Sequence, residues 1–261
     1  MNEIVLKVKE QPSVGLEAEG ICPDVFAGKT GPEIGQLTVY EGNIERRLKD
    51  FFEVGGDAGE SAAKTRIIID GDVTKTKRIG QLMTDGELIV RGSVGMHLGS
   101  KMKGGRIVVE GNVGSFAAQE MRGGEVLIQG NAGNYLGSAT RGNWRGMRGG
   151  KIVVEGNVGS ETATFMRGGV IEVKGDAGQF TGVHMKKGLI IVSGTMARRG
   201  GAEMIGGTIV AGGVEAVLPG FKLEGTMENP EIEDTQFKGT YTKYSGDHAE
   251  QNSKGVLLVK K

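Results

Sequence analysis

Five basic residues recur at one place in a repeated phrase, each directly after a methionine: Lys103, Arg122, Arg148, Arg167 and Lys186. Cations held at a fixed spacing attract a polyanion or an acidic protein surface, and they supply no nucleophile or general base. Seven apolar residues, Ile68, Ile89, Val108, Leu127, Val153, Ile191 and Val210, recur in another register, and only Glu172 interrupts them. A short segment within Asn134–Gly146 gathers Tyr135, Arg141, Trp144 and Arg145, and Trp144 is the sole tryptophan. Tryptophan with arginine is the favoured composition where proteins bind one another.

Other chemistry has little to draw on. A single cysteine, Cys22, rules out a disulfide framework and any iron–sulfur or thiolate zinc site held by this chain alone. The three histidines, His97, His184 and His248, lie far apart, and His97 and His184 fall in different registers of the repeat, so no metal site is expected. Catalytic residues are expected to be none, because no nucleophile–base pair, P-loop or paired carboxylates emerge. The 32 lysines and arginines balance 32 aspartates and glutamates, which argues against nucleic acid and against an acidic membrane as partners. No apolar run approaches the roughly 20 residues of a membrane span, and the start lacks a signal peptide's basic and apolar regions. The expectation is a soluble, cytoplasmic protein.

What positions these residues is a repeat. Met102-Lys-Gly-Gly-Arg-Ile-Val-Val-Glu-Gly111 returns at Met121, Met147 and Met166, with weaker copies at Met83, Met185 and Met204. Each step is 19 residues except the one from Met121 to Met147, which is 26 and contains a seven-residue insertion. The glycine closing each strand forms a column of nine levels, from Gly56 through Gly71, Gly92, Gly111, Gly130, Gly156, Gly175 and Gly194 to Gly213. A unit this short, with glycine corners and no helical periodicity, suits one coil of a parallel β-helix.

The fold class expected is therefore all-β: a right-handed parallel β-helix of about nine coils over residues 51–213. Residues 1–50 and 214–261 lack the repeat and are placed to cap its two open ends, since an unpaired strand edge invites aggregation. Alternation sends Leu88/Val90, Ile107/Val109, Val126/Ile128, Ile152/Val154, Ile171/Val173 and Ile190/Val192 inward. The methionine column reads as core filling. An Asn/Asp column (Asp57, Asp72, Asn112, Asn131, Asn157 and Asp176) reads as corner residues bonding the backbone.

Three features then stay open between a bland and a functional role. The apolar stripe faces outward, where a solvated sheet face would be polar; either a terminal segment folds over it or another subunit buries it. The basic column repels itself by roughly 1 kcal/mol per neighbouring pair even in water; either Glu110, Glu125 or Glu155 relieves it, or it is a track for a polyanion. The insertion either packs on its own rod or meets a partner.

The tandem Met-x-Gly-Gly-x-Ile-x-Val-x-Gly-Asn-Val/Ala-Gly phrases resemble the glycine-repeat C-terminal domain of the large glutamate synthase polypeptide. They are more similar to the C subunit of the tungsten- or molybdenum-dependent formylmethanofuran dehydrogenases. Pro23-Asp-Val-Phe-Ala-Gly28, Asp50-Phe-Phe-Glu-Val-Gly55, Gly142-Asn-Trp-Arg-Gly-Met147 and Gly239-Thr-Tyr-Thr-Lys-Tyr-Ser-Gly-Asp247 carry that likeness over nearly the whole chain. The resemblance implies a non-catalytic subunit of a complex that reduces CO2 and couples it to methanofuran. It implies a formate-dehydrogenase-like partner with a tungsten or molybdenum pterin, an amidohydrolase-like partner with a dinuclear metal site, and iron–sulfur clusters on other chains. No cofactor is expected on this one. It also suggests that the stripe docks the amidohydrolase-like partner and that the basic column attracts the glutamate-rich tail of methanofuran. Two other memberships compete: a subunit of a formyltransferase/hydrolase complex, and a glutamate-synthase-type domain.

Overall fold

The computed structural model describes all residues 1–261. Each repeat contributes one short strand rich in β-branched residues, which suit a pleated, half-buried surface. Eight such strands, Thr65–Asp70, Glu87–Arg91, Arg106–Val109, Glu125–Ile128, Arg148–Val154, Arg167–Val173, Lys187–Met196 and Thr208–Val214, lie side by side in sequence order, all parallel. Residues one repeat apart become cross-strand partners: Ile107 faces Val126, and Val126 faces Ile152 across the longer step. The twelve inward residues of the two expected columns are at most 2% exposed. Burying each contributes roughly 1.5–3 kcal/mol. The repeat methionines, from Met83 to Met204, are fully buried among them.

A second edge of the stack is held by single-residue parallel bridges, Val73 to Val94 to Val113 to Ala132 to Val158 to Ala177 to Met196. Between these edges the chain turns at the Asn/Asp column. Asn112 Oδ1 accepts the Asn131 N–H at 2.8 Å, Asn131 Oδ1 accepts that of Asn157 at 2.8 Å, and Asn157 Oδ1 accepts that of Asp176 at 2.8 Å. Asp176 Oδ1 completes the series by accepting from Thr195 at 2.7 Å. Asp57 and Asp72 depart from it, bonding instead the N–H groups of Gly31 and Thr74. At the other corner glycine is required by contact. Gly124 has φ +84°, and a Cβ there would lie 2.6 Å from the Gly105 carbonyl oxygen one level away, inside any tolerable approach.

The chain ends change the count of levels. Asn2–Val8 lies parallel beside Thr65–Asp70, and Val256–Lys260 lies parallel beside Thr208–Val214, so both termini add a rung. The level expected to close on Gly56 is not a parallel coil. Its strand, Phe52–Gly55, pairs antiparallel with Asn2–Val8 at the sheet edge, because the N-terminal strand already occupies the place beside the first repeat. Lys222–Glu228 and Thr240–Ser245 continue the other end, also antiparallel. The thirteen-stranded sheet is thus mixed, with its antiparallel strands confined to the ends. Helix is limited to the short turns Pro23–Phe26, Gly31–Gly35 and Leu48–Phe51 and a 3-10 turn at Ala62–Lys64, all in the N-terminal part. None is long and apolar enough to cross a membrane.

Candidate functional site

Two surfaces carry the residues singled out by the sequence. The first is the outward face of the parallel sheet. Its central row runs Val5, Ile68, Ile89, Val108, Leu127, Val153, Glu172, Ile191, Val210 and Leu258, each a cross-strand partner of the next. Val5 and Leu258 escape a reading of the sequence because they stand outside the repeat. The row is not uniformly open. Val210 is 3% exposed and packs with Leu189, Tyr241 and Leu258, against which Met227, Ile232 and Phe237 lean. The C-terminal segment therefore covers that end and leaves a cavity of about 310 Å³ between Phe237, Tyr241 and Ile191. Ile68, between Val5 and Ile89, is 4% exposed. The repeat pattern sends both residues outward into the open, whereas flanking apolar neighbours or the chain's own tail bury them. Ile89, Val108, Leu127 and Val153 stay partly exposed.

Beside this row runs another of alternating sign: Glu3, Arg66, Glu87, Arg106, Glu125 and Lys151. Arg66 pairs with Glu87 at 2.6 Å and with Glu3 at 3.8 Å, and Arg106 reaches Glu87 at 3.7 Å. Lys151 closes on Glu172 at 3.4 Å, which accounts for the one charged member of the apolar row. Burial alone would raise the Glu172 carboxyl, but hydrogen bonds and charge from Lys174 and Lys151 outweigh it and hold it below its ordinary value.

The second surface is the basic corner. The backbone N–H groups of Lys103, Arg122, Arg148, Arg167 and Lys186 each bond the carbonyl of the repeat methionine one level away, all at 2.8 Å. Backbone geometry stacks the five side chains on consecutive levels. None of them joins an ion pair, and Glu110, Glu125 and Glu155 do not reach them. Arg148 is the crowded member. Its Nε is buried with no hydrogen-bond partner, and burial, then the charge of Arg122 and, against the opposing pull of Glu120, those of Arg145 and Arg167, lower its affinity for its own proton. A buried guanidinium nitrogen without an acceptor costs about 1–3 kcal/mol. Glu120 is the one carboxylate whose charge bears on Arg148, and it is set against three arginines.

The insertion feeds into this corner. Glu120, 4% exposed, accepts from the Thr140 N–H at 3.2 Å and from Asn143 Nδ2 at 2.9 Å. Arg167 Nε donates to the Trp144 carbonyl at 2.9 Å. These bonds hold up a loop in which Trp144 is 70% exposed and whose Arg145 charge bears on Arg148. Tyr135 belongs elsewhere. It stacks on Phe116 at 4.6 Å and donates to Glu161 at 3.0 Å, and it shares only a pocket of about 130 Å³ with Arg141.

Tyr135 is part of a feature that the sequence does not announce. His97, Phe116 and Tyr135 stack face to face at 5.0 and 4.6 Å, and Arg199 lies over Phe180 at 5.1 Å. A neighbouring stack joins Phe165 and His184 at 4.5 Å. All have φ between +56° and +67°. Each such left-handed residue costs roughly 1 kcal/mol, and stacking returns about as much. The signal exists as aromatic side chains 19 residues apart, but not as alternation. The structure also puts His97 and His184 in separate columns.

Known proteins match the chain closely, though no family model does. It is 66% identical over 260 residues to the C subunit of tungsten-containing formylmethanofuran dehydrogenase 2 of Methanothermobacter thermautotrophicus, covering 99% of this chain and 96% of that one. The protein of the same name from Methanococcus maripaludis is 54% identical over 266 residues, 99% and 97% of the two chains. Among solved structures, a chain of the formyltransferase/hydrolase complex from Methylorubrum extorquens, in complex with methylofuran, superposes with a TM-score of 0.88. Its identity is 29%, over 98% of this chain and 99% of that one.

Proposed function

The chain belongs to the family of formylmethanofuran dehydrogenase C subunits, and from that premise we propose that it is a non-catalytic scaffold which also steers the carrier's acidic tail. In this reading the stack is a right-handed parallel β-helix, residues 1–50 and 214–261 are its caps, and the assembly is cytoplasmic. The half-open row from Ile89 to Val153 docks the amidohydrolase-like partner, and a formate-dehydrogenase-like partner binds elsewhere on the rod. Insertion into a partner groove would remove from water the apolar atoms that this chain leaves uncovered.

The tungsten or molybdenum pterin, the iron–sulfur clusters and the dinuclear site fall to partner chains. The residues here do not fit an iron–sulfur cluster or any other thiolate-bound metal. Cys22 is buried, and burial pushes its thiol up to about 12, so no thiolate is on offer.

One observation carries the tail-guiding role: five stacked cations with no carboxylate partner, centred on the orphaned Nε of Arg148. A run of glutamates supplies what is missing, at a repeat flexible enough to match the levels. The solved relative's complex with methylofuran supports a carrier of this chemical kind. Replacing Arg122, Arg148 and Arg167 together by glutamine should raise KM for methanofuran about tenfold, with assembly and kcat little changed; an unaltered KM would remove the role. The solved relative also favours a second reading, membership of a formyl-hydrolysing complex. Metal and pterin analysis of the native complex separates the two, because only the dehydrogenase holds a pterin metal.

A further inference from the structure

We propose that His184, Glu203 and Glu250 form a site for one divalent transition cation, of the zinc class, that ties the C-terminal segment to the stack. The His184 imidazole is fixed in direction, lying flat on Phe165 at 4.5 Å and 6°. Its Nδ1 is 3.4 Å from Glu203 Oε2, and one ligand atom from each of the three residues lies within 4.8 Å of the others.

Three separate stretches of chain bring these atoms together, and the join is built. The His184 N–H bonds the Ala202 carbonyl at 2.9 Å, which sets the two columns level. Asp247, 5% exposed, receives the Glu203 N–H on Oδ2 at 3.0 Å and the Ala249 N–H on Oδ1 at 3.0 Å. Its carbonyl accepts the Glu250 N–H at 3.1 Å. Asp247 is thereby occupied with backbone and orients the two glutamates without being a ligand itself.

Charge favours a cation at the centre. Glu203 and Glu250 make no ion pair with any lysine or arginine, and the group set against Glu203 is the imidazole, whose Nδ1 a cation would engage in its neutral form. Two carboxylates this close repel one another unless a positive charge lies between them. Geometry agrees. A tetrahedral ion bonded at about 2.0–2.1 Å sets its ligands roughly 3.3 Å apart. The imidazole–Glu203 spacing is already close to that value, and rotation of the glutamate side chains closes the rest. One imidazole nitrogen with two carboxylate oxygens suits zinc, manganese or iron better than calcium, which takes six or more oxygens. A fourth position is left toward a cavity of about 300 Å³ lined by Glu161, Phe165 and Phe180, open to water or a partner's donor.

The test uses the full chain stripped of metal and titrated with Zn²⁺ by calorimetry and with Co²⁺ by visible absorption. One equivalent should bind, with tetrahedral Co²⁺ bands and a raised Tm. Glu250→Gln should weaken binding at least about tenfold and His184→Ala should abolish it, while His248→Ala leaves it unchanged. Glu250 lies in a surface turn, so its variant reports even where the His184 variant folds poorly. Binding that persists equally in Glu250→Gln, or none at about 100 µM Zn²⁺, overturns the site.

Discussion

The asparagine column and the arginine column are built on the same geometry and reach opposite states. Each stacks one residue type at successive levels of a parallel sheet, where neighbours are about 5 Å apart. In the first, each side-chain oxygen accepts the backbone N–H of the level beyond, so Asn112, Asn131 and Asn157 complete their column within the chain. A guanidinium only donates: Arg167 finds the Trp144 carbonyl, but the buried Nε of Arg148 finds no acceptor and the column stays incomplete. A ladder of like side chains in a parallel stack is structural when each accepts from the neighbouring backbone, and points outward to a ligand when it can only donate.

That contrast can be broken from either side. The largest effect is expected at the complete column. Asn131→Ala removes the acceptor for Asn157 N–H and the bond from Asn131 Nδ2 to Asn112, and should cost about 1–2 kcal/mol, seen as a Tm drop of roughly 3–6 °C. Asn131→Asp should cost far less, since Asp176 makes the same bond in its own level. The reverse sign is expected at the incomplete column. Arg148→Met keeps the aliphatic stem and removes the orphaned nitrogen, so the free chain should gain about 1 kcal/mol in thermal melts. The gain should shrink in the assembled complex, where an acidic partner compensates the native arginine. A loss of stability in the free chain would show that the column is already satisfied.

The smallest effect links the two corners through Glu120. Burial alone would raise its carboxyl, but hydrogen bonds from Thr140 and Asn143 outweigh burial and hold it below the ordinary range. A depressed folded value means that this contribution is full above the unfolded value, about 4.3, and is lost as pH falls through the folded one. Trp144 fluorescence anisotropy should accordingly fall in that acid window as the loop loosens. Glu120→Gln should abolish the dependence; a pH profile identical to the native one would show that the loop is held by other means.

Much of the fold is legible in the residues alone. The inward Ile/Val pairs, the methionine core and the asparagine corner all follow from a strict 19-residue period, because in a parallel stack sequence distance becomes spatial adjacency. The aromatic columns are not legible, since they occupy left-handed corners that no alternation marks. Glu120 is hidden for a related reason: a buried carboxylate in a corner is recognisable only once its donors, Thr140 and Asn143, are seen to come from the insertion. The terminal strands carry no repeat, so nothing local announces that Asn2–Val8 displaces Phe52–Gly55 to the edge.

The row Glu3, Arg66, Glu87, Arg106, Glu125, Lys151 has a consequence for how the chain finds its shape. Near-identical levels invite miscounting: if one were looped out, those above and below it would meet with their Ile/Val pairs still matched, and the apolar interior would not object. The alternating signs would. Skipping the Arg106 level sets Glu87 against Glu125, and skipping the Glu125 level sets Arg106 against Lys151. Every single omission inside the row brings like charges together, at a cost of roughly 1 kcal/mol at this spacing that the full count avoids.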